Sequence, residues 1–477
     1  MNRVLILLLS LLPVSLILLS CGGYSAPSNG TGSGVKYRAF ITNRVSAGTG
    51  FAGVYVVDAA NDLRAAVSPI SAGSTPGMMV LTPNRNLTLV FSPGINPLFP
   101  ENQLTLISNS AESAVGHVTL PGGTESFVVS PDGSAAYVAV PAPTVPVVGQ
   151  SPGVIDVISL NTGTTATEIS CPPKNPNPPN PPPPPVCVTK DQGDQGFNPP
   201  YHFLSIGNTG NRVLGFSQGS GSVANLVAVI TPSSVGTANP VVTFVPGFDH
   251  PVWAYFNSDD TTAYVVNCGP ECGGAQASVQ TLDLTTNTAG APVPVPAATV
   301  AVVSNSTMYL AGTPMPAQTC PSGTQASSCG LLTVFDLSKM TITNTAPIII
   351  TDGYHNRMAL GANGQLFIGA HTCTEIVPPV PPPTGAEVRG CLSIYNTQNV
   401  TVGSIQPGAV TIPPTTGDVT GIQPIATRDV VYVVQGQNVQ GGTLYIYDTK
   451  TDAVNAVEEQ KLSNLIGDFV DVKTIDF

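Results

Sequence analysis

Short hydrophobic runs alternate with turn-forming residues along most of this chain. The clearest unit is ESFVVSPDGSAAYVAV (125–140) followed by GVIDVISLNTG (153–163), which reads as two strands joined by a tight turn, then a loop and a third strand. Turn sequences such as PDG, SDD and ANG contain residues that tolerate the positive φ angles of two-strand connections. The pattern therefore predicts a repeated antiparallel β unit.

Eight copies of this unit can be recognised by the last residue of the third strand. These residues are Asp58, Ser108, Ser159, about Thr231, Asp283, Asp336, Asn396 and Asp448. Apart from one interval lengthened by a proline-rich insertion, the spacing is roughly 50 to 60 residues, which is typical of propeller blades. The first copy lacks an inner strand, and residues 467–477 form a surplus strand that would complete it and close the ring. We predict an all-β fold, a β-propeller with four-stranded blades, eight by repeat count, with seven left open by the weaker copies.

The composition supports an exported β protein. Only 9% of the residues are charged, 42% are apolar, and the chain has 48 Gly and 47 Pro, which interrupt helices. The apolar content is too high for a disordered chain. The net charge of −12 and the absence of a polybasic stretch argue against binding to nucleic acid.

The N-terminal residues predict the location of the protein. An apolar run in residues 1–20 has the length of an export signal and is too short to favour a spanning helix. It ends in Leu18-Leu19-Ser20-Cys21, which resembles the lipobox of bacterial lipoproteins, whose cysteine takes up diacylglycerol. The resemblance implies a lipid on Cys21 and a place in the cell envelope, and Gly22 after it favours the outer membrane or cell surface. The alternative is an ordinary secretory signal with an incidental cysteine. Residues 21–35 then read as a flexible tether, and residues 36–477 as the propeller.

The other eight cysteines fall into four local pairs. These pairs are Cys171/Cys187, Cys268/Cys272, Cys320/Cys329 and Cys373/Cys391. In an oxidising compartment this arrangement predicts disulfides that staple loops, two of which contain the Pro-rich insertions 172–186 and 378–383. Zinc binding by the C-x3-C at Cys268 is the alternative, but no second Cys or His pair lies at a suitable spacing. The proline tracts could also dock a partner as polyproline II segments.

Three histidines share one position in the repeat, just before an inner strand: His202, His250 and His355. Glu125 has the same position in another unit, and Asp249, Asp352, Tyr201 and Tyr354 lie beside the histidines. Connections between blades deliver side chains near the propeller axis, so these residues could converge on a ligand, a metal ion or a general base. The alternative is that they cap strand ends. We expect no cofactor, with a metal at His202, His250 and His355 as the alternative, and we assign no catalytic residue.

The SPDG…YVAV pattern (130–140), followed by a VIDV strand, resembles the YVTN-type β-propeller repeats, which include lactonase-like proteins. The matches are degenerate: Tyr137-Val138-Ala139-Val140 and Tyr264-Val265-Val266-Asn267 are the nearest to the YVTN tetrad. The resemblance implies the fold more than an activity. No G-x-S-x-G, P-loop, H-E-x-x-H or dinucleotide-binding motif is present.

We therefore expect a membrane-tethered platform for a protein or small-molecule ligand, acting as a monomer and not binding nucleic acid. The alternative is a lactonase-like hydrolase or metal-dependent enzyme that uses His202, His250, His355 and Glu125 at the central channel. The sequence leaves the ligand unidentified.

Overall fold

Antiparallel strands account for nearly all of the regular structure. The computed structural model describes residues 32–44, 51–96, 98, 100–143, 153–169, 187–189, 195–197, 200–217, 222–232, 241–316, 320, 328–374, 391–397, 401, 405–413, 417–426, 428–437, 441–455, 462 and 467–476. The helical segments in this part of the chain include two short 3-10 turns, Ser222–Asn225 and Gly269–Cys272. None of the helices described here has the length and apolar character needed to cross a bilayer.

Eight antiparallel sheets follow one another along the chain, and we number them as blades 1 to 8. The strands of blades 1 to 4, given from the inner strand outward, are Asp468–Thr474, Arg38–Arg44, Gly53–Asp58 and Leu63–Arg64; Met79–Leu81, Leu87–Ser92, Gln103–Ser108 and Ser113–Thr119; Ser126–Val129, Ala135–Val140, Val154–Ser159 and Thr164–Ile169; Phe203–Ile206, Val213–Phe216, Leu226–Thr231 and Val241–Pro246.

Blades 5 to 8 have the same order of strands, and the outer edges of blades 5 and 6 each consist of two short segments. Their strands are Pro251–Phe256, Thr262–Asn267, Ser278–Asp283, Thr288–Ala289 and Val293–Pro294; Val300–Ser304, Thr307–Gly312, Gly330–Asp336, Thr341–Ile342 and Ile348–Ile350; Tyr354–Leu360, Gln365–His371, Leu392–Asn396 and Val410–Thr411; Asp418–Pro424, Val430–Gln437, Gly441–Asp448 and Ala453–Val454. Two small ladders lie outside the blades: Gly122–Gly123 with Ala142–Pro143, and Cys187–Thr189 with Gln195–Phe197.

The sheets form a closed eight-bladed propeller. Each inner strand contacts the inner strand of the next blade, and the contact of blade 8 with blade 1 completes the circle. The C-terminal strand Asp468–Thr474 pairs with Arg38–Arg44, so the two ends of the chain share blade 1. The predicted fold, its closure and the count of eight are confirmed, and the third strands end at the eight predicted residues. Closure removes the exposed sheet edges that an open array of blades would leave.

The hydrophobic core is divided among the contacts between neighbouring blades. Eight clusters of buried residues are found in the described residues, and each joins side chains of two adjacent blades. Val138 and Tyr137 of blade 3, for example, pack toward blade 2 and blade 4 respectively. Because both faces of a blade are covered, its middle strands are apolar at successive positions, which explains runs such as AAYVAV (135–140).

Polar contacts also connect the inner strands. Ser126 Oγ accepts the backbone N–H of Leu204 at 3.0 Å, which joins blades 3 and 4, and Ser205 Oγ accepts that of Ala254 at 3.2 Å, which joins blades 4 and 5. Asp471 on the closing strand accepts the Met79 N–H of blade 2 at 2.9 Å. These bonds satisfy backbone groups that the ladders leave unpaired, so they fix neighbouring blades relative to each other.

The antiparallel order determines which loops share a face. The loops between second and third strands and the connections from one blade to the next emerge on one side of the ring, which we call the connection face. The turns between first and second strands and between third and fourth strands emerge on the other side, the turn face. The predicted site residues lie in loops of the connection face or at the strand ends that meet it, and the pairs Cys268/Cys272, Cys320/Cys329 and Cys373/Cys391 lie on the same face.

Candidate functional site at the channel mouth

Each predicted site residue lies where the chain enters an inner strand. Glu125, His202 and His250 directly precede the inner strands of blades 3, 4 and 5, and His355 is the second residue of the inner strand of blade 7. The positions are equivalent in the repeat, as the sequence predicted. Their environments, however, differ from blade to blade.

Glu125 and His202 contact each other across the boundary between blades 3 and 4. Their carboxylate oxygen and ring Nδ1 are 3.2 Å apart, and the side chains are 57% and 24% exposed. The hydrogen bond with His202 lowers the pKa of Glu125, despite the opposing effect of burial. The pair is accessible, and its hydrogen bond is charge-assisted. The sequence predicted that site residues from different blades lie close together, and this contact confirms it for Glu125 and His202.

Asp249 and His250 make a separate contact that supports a loop. Asp249 Oδ1 is 3.0 Å from His250 Nδ1, and Asp249 Oδ2 accepts the backbone N–H groups of Ala275 and Gln276 at 2.9 and 2.7 Å. Burial disfavours ionisation of Asp249, but these hydrogen bonds, led by that of His250, outweigh it and lower its pKa. The pair holds the loop around the Cys268–Cys272 disulfide, and the His250 side chain is only 7% exposed.

His355 and Asp352 are buried beside the inner strand of blade 7. Neither ring nitrogen of His355 has a hydrogen-bond partner of good geometry among the described residues. Burial lowers the pKa of His355 to about 4, against the opposing influence of the Thr351 backbone and of Asp352. Asp352 accepts the backbone N–H of Thr374 at 2.8 Å and also its hydroxyl. His355 therefore contributes to packing and Asp352 stabilises the loop that contains Thr374, and both side chains are buried.

Within the described ranges, no three His, Cys, Asp or Glu side chains are close enough to hold a metal ion together. His202 contacts Glu125, His250 contacts Asp249, and His355 is buried in blade 7. The three histidines therefore do not form one shared donor set there.

Two residues outside the predicted set, Glu271 and His371, extend the site. Glu271 lies in the loop between the second and third strands of blade 5 and accepts the Thr313 N–H of blade 6 at 2.7 Å. Burial raises the pKa of Glu271 to about 7, with the Thr313 hydrogen bond opposing it. The Thr313 hydroxyl donates to the Gly353 carbonyl at 2.9 Å, which ties this loop to the start of the inner strand of blade 7.

The aromatic ring of Tyr354 connects these groups. It lies 5.1 Å from the ring of His371, measured between centroids. Burial, with smaller contributions from the carboxylates of Glu271 and Glu125, raises the pKa of Tyr354 to about 12. Tyr354 begins the inner strand of blade 7 and Glu125 directly precedes that of blade 3, so both lie at the connection-face end of an inner strand, on opposite sides of the channel.

We call the set formed by Glu125, His202, Glu271, Tyr354 and His371 the channel mouth. Its rim continues to blade 8, where Asp418 accepts the Thr372 N–H at 2.8 Å. Burial lowers the pKa of His371, while Asp418 opposes this effect. The mouth therefore combines carboxylates, imidazoles and a phenol that come from four different blades, and its rim adds a fifth. Glu271 could have been found from the sequence, since it lies inside one of the bracketed loops that the repeat places on this face.

Three of the four predicted disulfides are formed, Cys268–Cys272, Cys320–Cys329 and Cys373–Cys391. They close the loops between the second and third strands of blades 5, 6 and 7, on the same face as the channel mouth. Cys171 lies outside the described residues, as do Cys21 and the proline tracts 172–186 and 378–383.

A separate surface cavity of about 370 Å³ lies between the outer strands of blades 4 and 5. Its lining residues have no titratable side chain: Val245, Pro246, Gly247, Gln280, Asn287, Thr288, Ala289, Gly290 and Pro292. The channel mouth has titratable side chains and the lining of this cavity has none, so we place the candidate site at the mouth.

The sequence matches no protein-family model and no curated protein. Among solved structures, the chain is similar to a dihydro-heme d1 dehydrogenase in complex with DHE, with a TM-score of 0.57 and 11% identity over 92% of this chain and 75% of that one. It is also similar to the hydrazine synthase of Kuenenia stuttgartiensis, with a TM-score of 0.50 and 12% identity over 80% and 98% of the two chains. A periplasmic gluconolactonase of Pseudomonas aeruginosa gives a TM-score of 0.49 and 13% identity over 92% and 98%. At these identities the first two similarities show a shared fold and leave the activity open. The comparisons and the ring of eight sheets establish the chain as an eight-bladed β-propeller.

Proposed function

We propose that this protein is an exported, lipid-anchored binding protein of the cell envelope, whose propeller binds a ligand at the channel mouth. The observation that carries the proposal is geometric: on the connection face, the accessible Glu125–His202 pair bridges blades 3 and 4, and the Glu271–Thr313–Gly353 hydrogen bonds connect blades 5, 6 and 7 beside the Tyr354–His371 ring contact. Central channels and the loops around them are common binding places in closed β architectures, since a rigid ring holds loops that vary freely.

The proposed location is supported by two features. Cys21 ends a lipobox-like sequence after an apolar run that is typical of an export signal. The three disulfides are of the kind that persist in oxidising compartments outside the cytosol. The anchor is tested by mass spectrometry of the N-terminal peptide from cells, in wild type and Cys21→Ala. A lipid-modified Cys21 in the wild type supports the proposal, and an unmodified cysteine contradicts it.

The chemistry of the mouth favours a ligand that is positively charged or rich in hydrogen-bond donors. Glu125, Glu271 and the rim residue Asp418 offer acceptor oxygens, and Tyr354 with His371 offers an aromatic surface against which a cation can lie. A protonated amine is the simplest group that uses both. Binding of such a group should strengthen as the pH rises through about 7, because Glu271 becomes ionised in that range.

The ligand class is tested by thermal shift with a panel of amines, guanidinium compounds and neutral sugars. For a compound that stabilises the wild type, Glu125→Gln, which removes a carboxylate, and Tyr354→Leu, which removes the aromatic ring, should each reduce the shift. Asp283→Asn, the same change of acid to amide on the turn face, should leave it unchanged. If the mouth variants bind as well as the wild type, the site is elsewhere.

The Glu125–His202 contact also supports a second candidate, a hydrolase. A carboxylate that orients an imidazole is a common arrangement for general-base catalysis. His250 and His355 are buried, so His202 is the one of the three predicted histidines that a substrate in the channel could reach. A lactone-hydrolysis assay tests this candidate: activity that is lost in His202→Asn but kept in His250→Asn would support it, and no activity in the wild type would contradict it.

A further inference from the structure

A turn on the turn face recurs in several blades and places an acid at the same position. Asp62, Glu112 and Asp452 each lie four residues after the end of a third strand and have positive φ angles of 54°, 49° and 49°. This left-handed conformation closes the turn, and in blades 1 and 2 the acid contacts the preceding blade. The three positions can therefore be compared directly.

In blade 1 the acid is neutralised by an arginine of blade 8. Arg428 Nη1 donates to the carbonyl of Ala59, the first residue after the third strand, at 2.6 Å, and to Asp62 Oδ1 at 2.7 Å. Its Nη2 donates to Asp62 Oδ2 at 2.6 Å. The guanidinium thus joins the strand end and the buried carboxylate with one planar group.

Blade 2 repeats this arrangement with an arginine of blade 1. Arg38 Nη1 donates to the carbonyl of Asn109, again the first residue after the third strand, and to Glu112 Oε1 at 3.0 Å. Two boundaries between blades therefore have the same design, in which a cation of one blade binds a carbonyl and an acid of the next.

At the boundary between blades 7 and 8 the cation is replaced by an amide. Gln365 begins the second strand of blade 7, as Arg38 begins that of blade 1, and its Nε2 donates to the carbonyl of Thr449 at 2.6 Å. Among the residues that the structure describes, none donates a hydrogen bond to either carboxylate oxygen of Asp452 or to the side-chain oxygen of Gln365. Asp452 is 2% exposed and Gln365 is fully buried.

No positive charge in the described structure compensates Asp452. Asp448, on the same turn, adds negative charge, and burial followed by Asp448 raises the pKa of Asp452 to about 7. Lys450 is exposed and pairs with Asp429. On the side of blade 7, Asn363 is uncharged and donates to Asp429 and Thr449.

We propose that Asp452 is held in the folded protein as a neutral carboxylic acid that donates its proton to the side-chain oxygen of Gln365, and that loss of this proton loosens the boundary between blades 7 and 8. A protonated carboxyl has one O–H donor, and the amide oxygen is an acceptor, so a single proton pairs both buried groups. This pH-sensitive contact is on the turn face and is independent of ligand binding at the channel mouth.

The expected sign follows from linkage. The proton binds more tightly to folded Asp452 than to the unfolded chain, where the pKa of an aspartate has its ordinary value of 3.8. The stabilisation is therefore complete below about pH 4 and is lost as the pH rises to about 7. The folding equilibrium constant falls by at most about tenfold per pH unit in this window.

The test is urea unfolding of the full chain between pH 5 and 8.5, for the wild type and Asp452→Asn. The asparagine is neutral at every pH and keeps a donor for Gln365, so its stability relative to the wild type should rise up to about pH 7 and then level off. Asp62→Asn is the matched control, since it removes a carboxylate that has a cation and should destabilise at neutral pH. Parallel pH profiles for the wild type and Asp452→Asn, or a variant less stable than the wild type at pH 8, would overturn the proposal.

Hydrogen exchange of the wild type gives an independent readout should Asp452→Asn fail to fold. After correction for the intrinsic exchange rate, the backbone of residues 361–367 and 448–455 should lose protection between pH 6 and 8. The backbone of residues 59–64, at the Arg428–Asp62 boundary, should keep it. Unchanged relative protection of the two boundaries would contradict the proposal.

Discussion

Removal of the Arg428 guanidinium should destabilise the whole propeller, because it acts where the two ends of the ring meet. Asp62 is fully buried, and Arg428 binds both of its oxygens while the hydroxyl of Tyr432 donates to one of them. Arg428→Met keeps most of the volume and the apolar stem but leaves the carboxylate without its cation.

The size of the effect can be worked from these contacts. Breaking a buried ion pair by removing one partner typically costs about 3–5 kcal/mol. The lower end applies here, since the Arg428 side chain is 23% exposed and Tyr432 still donates to Asp62. We expect the free energy of unfolding to fall by about 3 kcal/mol. The double variant Asp62→Asn/Arg428→Met should lose less than Arg428→Met alone, because no buried charge remains uncompensated.

The assay is equilibrium unfolding in urea, followed by far-ultraviolet circular dichroism and by the fluorescence of Trp253, the single tryptophan of the chain. Coincident transitions from the two probes justify a two-state analysis. Lys339→Ala is the control, since it removes the exposed partner of Asp336 and should leave the midpoint unchanged. An Arg428→Met midpoint equal to that of the control would refute the reasoning, as would a double variant less stable than the single one.

Three further predictions concern other parts of the ring. His355→Gln should remove an acid-sensitive component of stability, because the pKa of His355 is about 4 in the folded protein and 6.5 in the unfolded chain. The contribution of His355 to the free energy of unfolding is complete above pH 6.5. In urea unfolding, the wild type alone should lose up to about 3 kcal/mol of it toward pH 4. Replacing Cys373 and Cys391 by serine should lower the free energy of unfolding by about 3 kcal/mol by the loop-entropy relation, and unchanged thermal unfolding would contradict it. Glu271→Gln should flatten the rise in affinity for amine ligands between pH 6 and 8 in calorimetric titrations; an unaltered pH profile would remove Glu271 from the site.

The fold could be predicted from the sequence because it is encoded locally. Each strand is a short apolar run with turn residues at its ends, and the ends of the third strands, such as Asp283 and Asp448, lie at the predicted positions. Ring closure was predictable because residues 36–477 contain one strand too few at the beginning and one too many at the end. Both features follow from packing rules that act within one repeat.

The candidate site was only partly predictable, because equivalent positions in the repeat have different local geometry. The inner strands of blades 5 and 7 have irregular pairing at their beginnings, after Pro251 and after His355, and such bulges redirect side chains. His202 precedes a regular strand and is accessible, whereas His355 is buried. For Glu271, the cysteine bracket marked the loop on the correct face, but its contact with Thr313 of blade 6 depends on packing that no local pattern encodes.

Photo-crosslinking in the cells that make the protein tests the central claim, binding at the channel mouth, most directly. A photoreactive amino acid replaces Tyr354 at the mouth or, in a second variant, Leu63, which is 46% exposed on the turn face. Mass spectrometry of the peptide around each position then detects any attached molecule, small or large. We predict a defined adduct at position 354 and none at position 63. A defined adduct at position 63, with none at position 354, would contradict the account.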